Sequence, residues 1–182
     1  MRLTNGRVFF RMNIEIKHFY FIDDGYFDFA NDPLLMINKG IGNSGPCFLA
    51  IKEAGGIIWM VPVTSKIVKL RKVYEDKVSR HGSCDTIIIG KLLGRDCAFL
   101  IQNMFPVTKK YIKEEYIQAS TKTPVTIPGP LANEIIAKQK KILALVKAGV
   151  TGLVFPNIIN LEKKLKEELN ASIECANQQS QI

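Results

Sequence analysis

Thr64-Ser65-Lys66 brings two hydroxyls and an ammonium together where an apolar run, Trp59-Met60-Val61-Pro62-Val63, gives way to a helical pattern. The first N–H groups of a helix point outward and its dipole favours an anion, so such a junction can seat a phosphodiester. Thr and Ser are also ordinary N-cap residues, and the two uses are compatible. His81-Gly82 stands where that helix should end. A histidine there is either a solvated turn residue or, facing the same cleft, a general acid or base near neutral pH. His18 lies in an apolar stretch and reads as packed. Asp23-Asp24 reads as a helix cap rather than a metal pair. No HExxH, GxSxG or GxxxxGK[ST] pattern is present. The glycine-rich run 38–46, which contains Lys39, has no βαβ frame to make it a phosphate cradle. Cys47, Cys84, Cys97 and Cys175 lack metal-ligand spacing and read as reduced. Neither a metal nor a cofactor is expected.

The elements that must position these residues follow from periodicity and turn chemistry. Ile14 to Ile22 reads as a strand, and Gly25 to Ala30 as a short helix stopped by Asn31-Asp32-Pro33. Cys47–Ile51 and Ile57–Val63 form a hairpin across Lys-Glu-Ala-Gly-Gly. A helix follows Thr64-Ser65 to about Ser79, with Ile67, Leu70, Tyr74 and Val78 on one face and Lys69, Lys72, Asp76 and Arg80 on another. Asp85–Lys91 and Cys97–Gln102 make a second hairpin, with Met104–Val107 extending its sheet. Thr108 is expected to cap a helix over 109–118. A longer helix carries Leu131, Ile135, Ile142 and Val146 and ends at Gly149. A last helix, from Pro156 to about Ala171, has a Leu161/Leu165/Leu169 stripe read as core packing. Residues 1–11 precede a second methionine and read as an N-terminal extension, 12–176 as one domain, and 177–182 as a frayed tail. The fold class is α+β: a small, bent antiparallel barrel with inserted and C-terminal helices.

The 182-residue chain holds 25 basic and 17 acidic residues, for a net charge of +8, and is 47% hydrophobic. That composition excludes general disorder, and no apolar run approaches the roughly 18–20 residues of a membrane helix. With no signal-peptide pattern, a cytoplasmic location is expected. The charge is uneven. Residues 64–115 carry eleven basic and six acidic side chains, whereas 23–63 are net acidic. Lys66, Lys69, Arg71, Lys72, Lys77 and Arg80 either coat a solvated helix face or track a phosphate backbone.

Three segments together resemble the toxins of type III toxin–antitoxin systems, the ToxN/AbiQ proteins and especially their CptN and TenpN relatives. They are Phe19-Tyr20-Phe21-Ile22 followed by Tyr26, the run Trp59 to Lys66, and Phe99 to Val107; their order and spacing carry the likeness, which spans about Lys17 to Leu169. The resemblance implies a barrel similar to MazF/PemK, itself SH3-like. It implies a metal-independent endoribonuclease that cuts mRNA in adenine-rich contexts, leaving a 2′,3′-cyclic phosphate and a 5′-hydroxyl. It also implies inhibition by a small antitoxin RNA whose repeats form pseudoknots, ring assemblies of toxin bridged by that RNA, and a role in phage defence or plasmid maintenance. The family's Thr-Ser pair falls on Thr64 and Ser65 and its helical aromatic on Tyr26. Its lysine after the pair is Lys66 or Lys69, and its loop lysine has an approximate counterpart in Lys39.

On that reading the RNA's own 2′-OH is the nucleophile. Ser65 and Thr64 hold it and the phosphate, and Lys66 or Lys39 neutralises the developing charge. His81 or Tyr26 moves a proton, or Tyr26 stacks on a base. Lys69, Arg71, Lys72, Lys77 and Arg80 hold the RNA. The alternatives are a non-catalytic RNA-binding module on a small barrel and a basic adaptor for an acidic protein.

Overall fold

The computed structural model describes residues 13–35 and 45–179. Seven strands form one sheet: β1 Phe19–Ile22, β2 Cys47–Lys52, β3 Ile58–Thr64, β4 Ile87–Leu92, β5 Arg95–Leu100, β6 Phe105–Val107 and β7 Ile112–Glu115. Four helices accompany them: α1 Asp24–Ala30, α2 Ile67–His81, α3 Gly129–Lys147 and α4 Ile158–Gln179. The strand order is β4-β5-β3-β2-β1-β7, with β6 also on β3, and every pairing is antiparallel. The expected α+β class and antiparallel sheet are present, but among the described residues the sheet does not close: β4, β6 and β7 are each paired on one side alone.

β3 is the strand on which the others converge. One side pairs with β2 from Ile58 to Pro62; the other pairs with β6 from Ile58 to Met60 and with β5 at Val63 and Thr64. A proline in a central strand normally costs a ladder bond. The Val63 N–H donates to the Pro46 carbonyl on the β2 side at 3.3 Å. Alternation along the strand turns the Pro62 nitrogen to the opposite side, at the changeover between β6 and β5, where no ladder partner awaits it. Ile58 to Val63 is apolar throughout and buried.

The main core joins Trp59, Phe19, Phe48, Phe99 and Tyr26 to Ile135 and Ile142 of α3 and Leu161 and Leu165 of α4. The leucine stripe of α4 is core packing, as its spacing suggests. Gly90 lets α3 approach β4: a Cβ there would lie 2.9 Å from Leu131 Cδ2. A smaller cluster of Cys84, Ile87, Ala98 and Leu100 lies under Ile67, Leu70, Tyr74 and Val78 of α2, the face expected from the sequence.

Some elements differ from expectation. The segment after Thr108 is a single 3-10 turn, Lys109–Tyr111, followed by β7, because it completes the otherwise open side of β1. The first strand is confined to Phe19–Ile22, since Lys17 takes a left-handed backbone (φ 70°) just before it. α4 continues to Gln179, past Ala171 and into the segment expected to fray. Residues 1–11 lie outside the described residues. Among the described residues, no helix is long and apolar enough to cross a membrane.

A polar clamp ties both long helices to the β2–β3 hairpin. Glu53 accepts the Trp59 indole N–H at 2.8 Å, and Lys147 lies 5.3 Å from the centre of that ring. Lys147 and Lys166 reach the buried Glu162 carboxylate at 3.1 and 2.6 Å. Burial alone pushes the Glu162 carboxyl up, but hydrogen bonds from Lys166 and Lys147 hold it below the ordinary glutamate value. A depressed folded pKa stabilises the fold above the unfolded value of about 4.3 and loses that contribution as pH falls through the folded value. Glu162→Gln is therefore expected to lower stability by about 1–3 kcal/mol at pH 7. The gap from wild type should narrow in urea titrations toward pH 3, and a constant gap would show that ionisation is not the cause.

Candidate functional site

The sheet register gathers four chain segments at one rim. Tyr20 pairs with Cys47 and Cys47 with Pro62, so two residues further along lie Ile22, Gly45 and Thr64. On its other side Thr64 pairs with Ala98 of β5. The start of α1, the end of the glycine-rich segment at Gly45, the Thr64–Lys66 turn and the β4–β5 hairpin thus all leave the sheet at this end. Gly45 comes close to β3; a Cβ on it would sit 3.3 Å from the Val63 carbonyl oxygen.

At the centre of this rim Thr64 is half-buried, and Ser65 and Lys66 are exposed. Thr64 Oγ1 accepts the Lys66 N–H at 3.2 Å, and the Ser65 carbonyl accepts the Ile67 N–H at 2.9 Å. Thr64 therefore turns the chain before the helix. The N-cap position itself belongs to Lys66, with no side-chain capping bond. Without a side-chain cap and with no acid in its first turn, the N-terminus of α2 retains its affinity for an anion. One Thr64 lone pair is taken by Lys66 N–H, which leaves its hydroxyl proton to donate outward.

The basic residues of α2 separate into distinct groups. Lys66, Lys69 and Lys72 are exposed and recur every third residue, on one face. Arg71 pairs with Asp96 of β5 at 3.4 Å. Lys77 turns inward and donates to Thr86 Oγ1 at 2.7 Å and Gln102 Oε1 at 3.2 Å, so it anchors the helix rather than offering a free cation to RNA. Arg80 and His81 occupy the last turn. A helix of this length puts them about 20 Å from Ser65 at 1.5 Å per residue. His81 and Ser65 accordingly do not face a common cleft.

Tyr26 also departs from expectation. It is fully buried, stacked on Phe105 at 5.4 Å, and its hydroxyl donates to the Pro106 carbonyl at 2.6 Å. Burial raises its pKa far above an ordinary tyrosine's, and the ring lies within the core instead of being displayed on the surface. Asp23 accepts the Gly25 N–H at 2.9 Å and caps α1, as read from the sequence. Lys39 lies outside the described residues. His18 is half-buried with Nδ1 2.6 Å from Glu115, a link between β1 and β7 that local sequence could not reveal. Burial pushes the Cys47 and Cys97 thiols up to about 12 and 11, so both are poor nucleophiles.

No protein-family model matches the sequence, and no curated protein matches it. Solved structures do. AbiQ, a lactococcal anti-phage endoribonuclease of the type III toxin–antitoxin system, is 12% identical with a TM-score of 0.65, over 85% of this chain and 98% of its own. The chain has the fold of a type III toxin. A second structure, from a bacterial type III system whose toxin is inhibited by a non-coding RNA pseudoknot, is 19% identical with a TM-score of 0.62, over 85% of this chain and 98% of its own. A third, from a bacterial antiviral system regulated by a processed non-coding RNA, is 17% identical with a TM-score of 0.60, over 82% of this chain and 98% of its own. At these identities the toxin fold is what the chains share.

Three substitutions separate anchoring from display within this toxin fold. Tyr26→Phe leaves the buried Pro106 carbonyl without its donor and is expected to cost about 1–2 kcal/mol. Lys77→Met should also destabilise, whereas Lys72→Met should stay within about 0.5 kcal/mol of wild type, as at ordinary surface sites. Urea unfolding measures all three, and equal effects of the two lysine changes would refute the division.

Proposed function

We propose that this protein is an endoribonuclease toxin of a type III toxin–antitoxin system, held in check by a small repeat-derived pseudoknot RNA. The observation that carries the proposal is the Thr64–Ser65 turn at the sheet rim, leading into an uncapped helix with an exposed lysine face. The toxin fold supports it, and AbiQ with that fold is an endoribonuclease.

The chemistry needs little from the protein. The 2′-oxygen attacks the adjacent phosphorus and loses its proton; the bond to the 5′-oxygen breaks, and that oxygen gains a proton. The products are a 2′,3′-cyclic phosphate and a 5′-hydroxyl. Thr64 and the first turn of α2 hold the non-bridging oxygens, and Ser65 orients the 2′-OH. Lys66 or Lys39 offsets the extra negative charge of the phosphorane. A serine at its ordinary pKa is a weak base, so Ser65 positions rather than attacks. No metal or cofactor enters these steps. The mRNA substrate and the antitoxin RNA share the lysine face of α2, and RNA bridging several copies would give a ring-like homo-oligomer in the cytoplasm. Arrest of an infected cell, as in abortive infection, is the biological role this assigns.

Purified protein in EDTA is expected to cut single-stranded RNA and to spare DNA of the same sequence. Ser65→Ala should lower the cleavage rate by about 10²-fold or more, the scale on which a lost positioning or oxyanion contact is felt. A metal requirement, or equal cleavage of DNA, would remove the 2′-OH mechanism. RNA retained without scission would instead identify a non-catalytic RNA-binding module.

A further inference from the structure

The β4–β5 hairpin carries features that the cleavage chemistry does not use. Arg95 to Ala98 continues β5 beyond Thr64, because Ala98 is the residue paired with it. At about 3.4 Å per residue, Arg95 overhangs the Thr64–Ser65 turn by about 10 Å, and the tip reaches further. The tip is a two-residue turn, Leu93-Gly94, whose φ values are 50° and 77°. Two positive φ angles in so short a turn favour Asn-Gly or Asp-Gly. A leucine there is strained, since its Cβ crowds the backbone in the left-handed region. It is nonetheless 45% exposed and, among the described residues, belongs to neither apolar cluster. Strain retained at an exposed apolar residue calls for a partner.

The charges beside it indicate which partner. Lys91 and Arg95 flank the tip and are exposed, and among the described residues neither pairs with an acid. Asp96, the nearby acid, is occupied by Arg71 of α2, which also holds the hairpin beside the helix. Lysines of α3 and α4, by contrast, are largely neutralised: Lys138 by Glu134, Lys141 by Asp85, and Lys147 and Lys166 by Glu162. Among the described residues, exposed cations without an acidic partner therefore include Lys66, Lys69 and Lys72 of α2 and, on either side of the exposed leucine, Lys91 and Arg95.

The geometry points to the β4–β5 hairpin as a base-recognition element for RNA. Leu93 packs against an unstacked base flanking the scissile phosphate, and Lys91 and Arg95 hold the phosphates on either side. The inference rests on the ribonuclease reading and assigns part of its sequence preference to residues that take no part in bond cleavage.

Leu93→Asn tests it, because asparagine tolerates this backbone and a thermal midpoint at or above wild type confirms folding. Binding is measured with a single-stranded 2′-O-methyl RNA pool, which lacks the nucleophile. Cut positions are mapped by sequencing the ends produced from randomised RNA. The variant is expected to bind about tenfold more weakly, the scale of one lost leucine burial. It should also lose base preference at one position beside the cut while still cutting. Wild-type affinity, or an unchanged cut profile, in the folded variant would overturn the hairpin's role alone. A wild-type protein that neither binds nor cuts RNA would overturn the ribonuclease reading and the hairpin's role with it.

Discussion

One side of β3 has to serve two partners, and Pro62 marks the place where it changes from one to the other. β6 occupies the first half, bringing α4 against the sheet through the segments that follow. β5 occupies the last two residues, so that β4, β5 and α2 depend on a short ladder at Val63 and Thr64. Because the strand is central and covered on both faces, its end is fixed by the whole core. The Thr64–Ser65 turn inherits that rigidity without being buried itself. A site that must hold a phosphate to within a fraction of an ångström benefits from placement at the end of the best-packed strand.

The division of charge follows the same plan. Where helices must be held to the sheet, lysines meet carboxylates, as at Glu162. Where Lys77 crosses from α2 to Thr86 and Gln102, a cation is spent on neutral acceptors instead. Lysines paired elsewhere are cancelled by their carboxylates, so the exposed, acid-free lysine face of α2 stands out as a local positive field at the rim. Such a distribution suits a ligand that is itself a line of charges.

Much of this was legible in the sequence. The β2–β3 hairpin, the α2 stripe, the α4 leucines and the Asp23 cap all depend on local spacing, and local spacing is what a sequence displays. The misreadings share a different origin. Thr108 looked like a helix cap, but the following residues are drawn into β7 by the open side of β1, whose partner lies about ninety residues away in the chain. Tyr26 sits at a position that suggested an aromatic available to a ligand, yet its hydroxyl is claimed by Pro106 across the core. One continuous helix, starting two residues after Ser65, leads to His81, so helical rise sets the distance between them. The four arms of the rim were hidden because only strand register brings them together.

α2 has no fully buried side chain. Its apolar face rests on a small cluster separate from the main core, with the Lys77 bonds and the Arg71–Asp96 pair as further attachments. Its backbone amides should consequently exchange with solvent through local opening well below the free energy of global unfolding. A polyanion laid along Lys66, Lys69 and Lys72 binds only the closed helix, so occupancy adds directly to the free energy of that opening. RNA on this face would then act as a brace as well as a ligand, slowing the motion of the helix that follows Ser65.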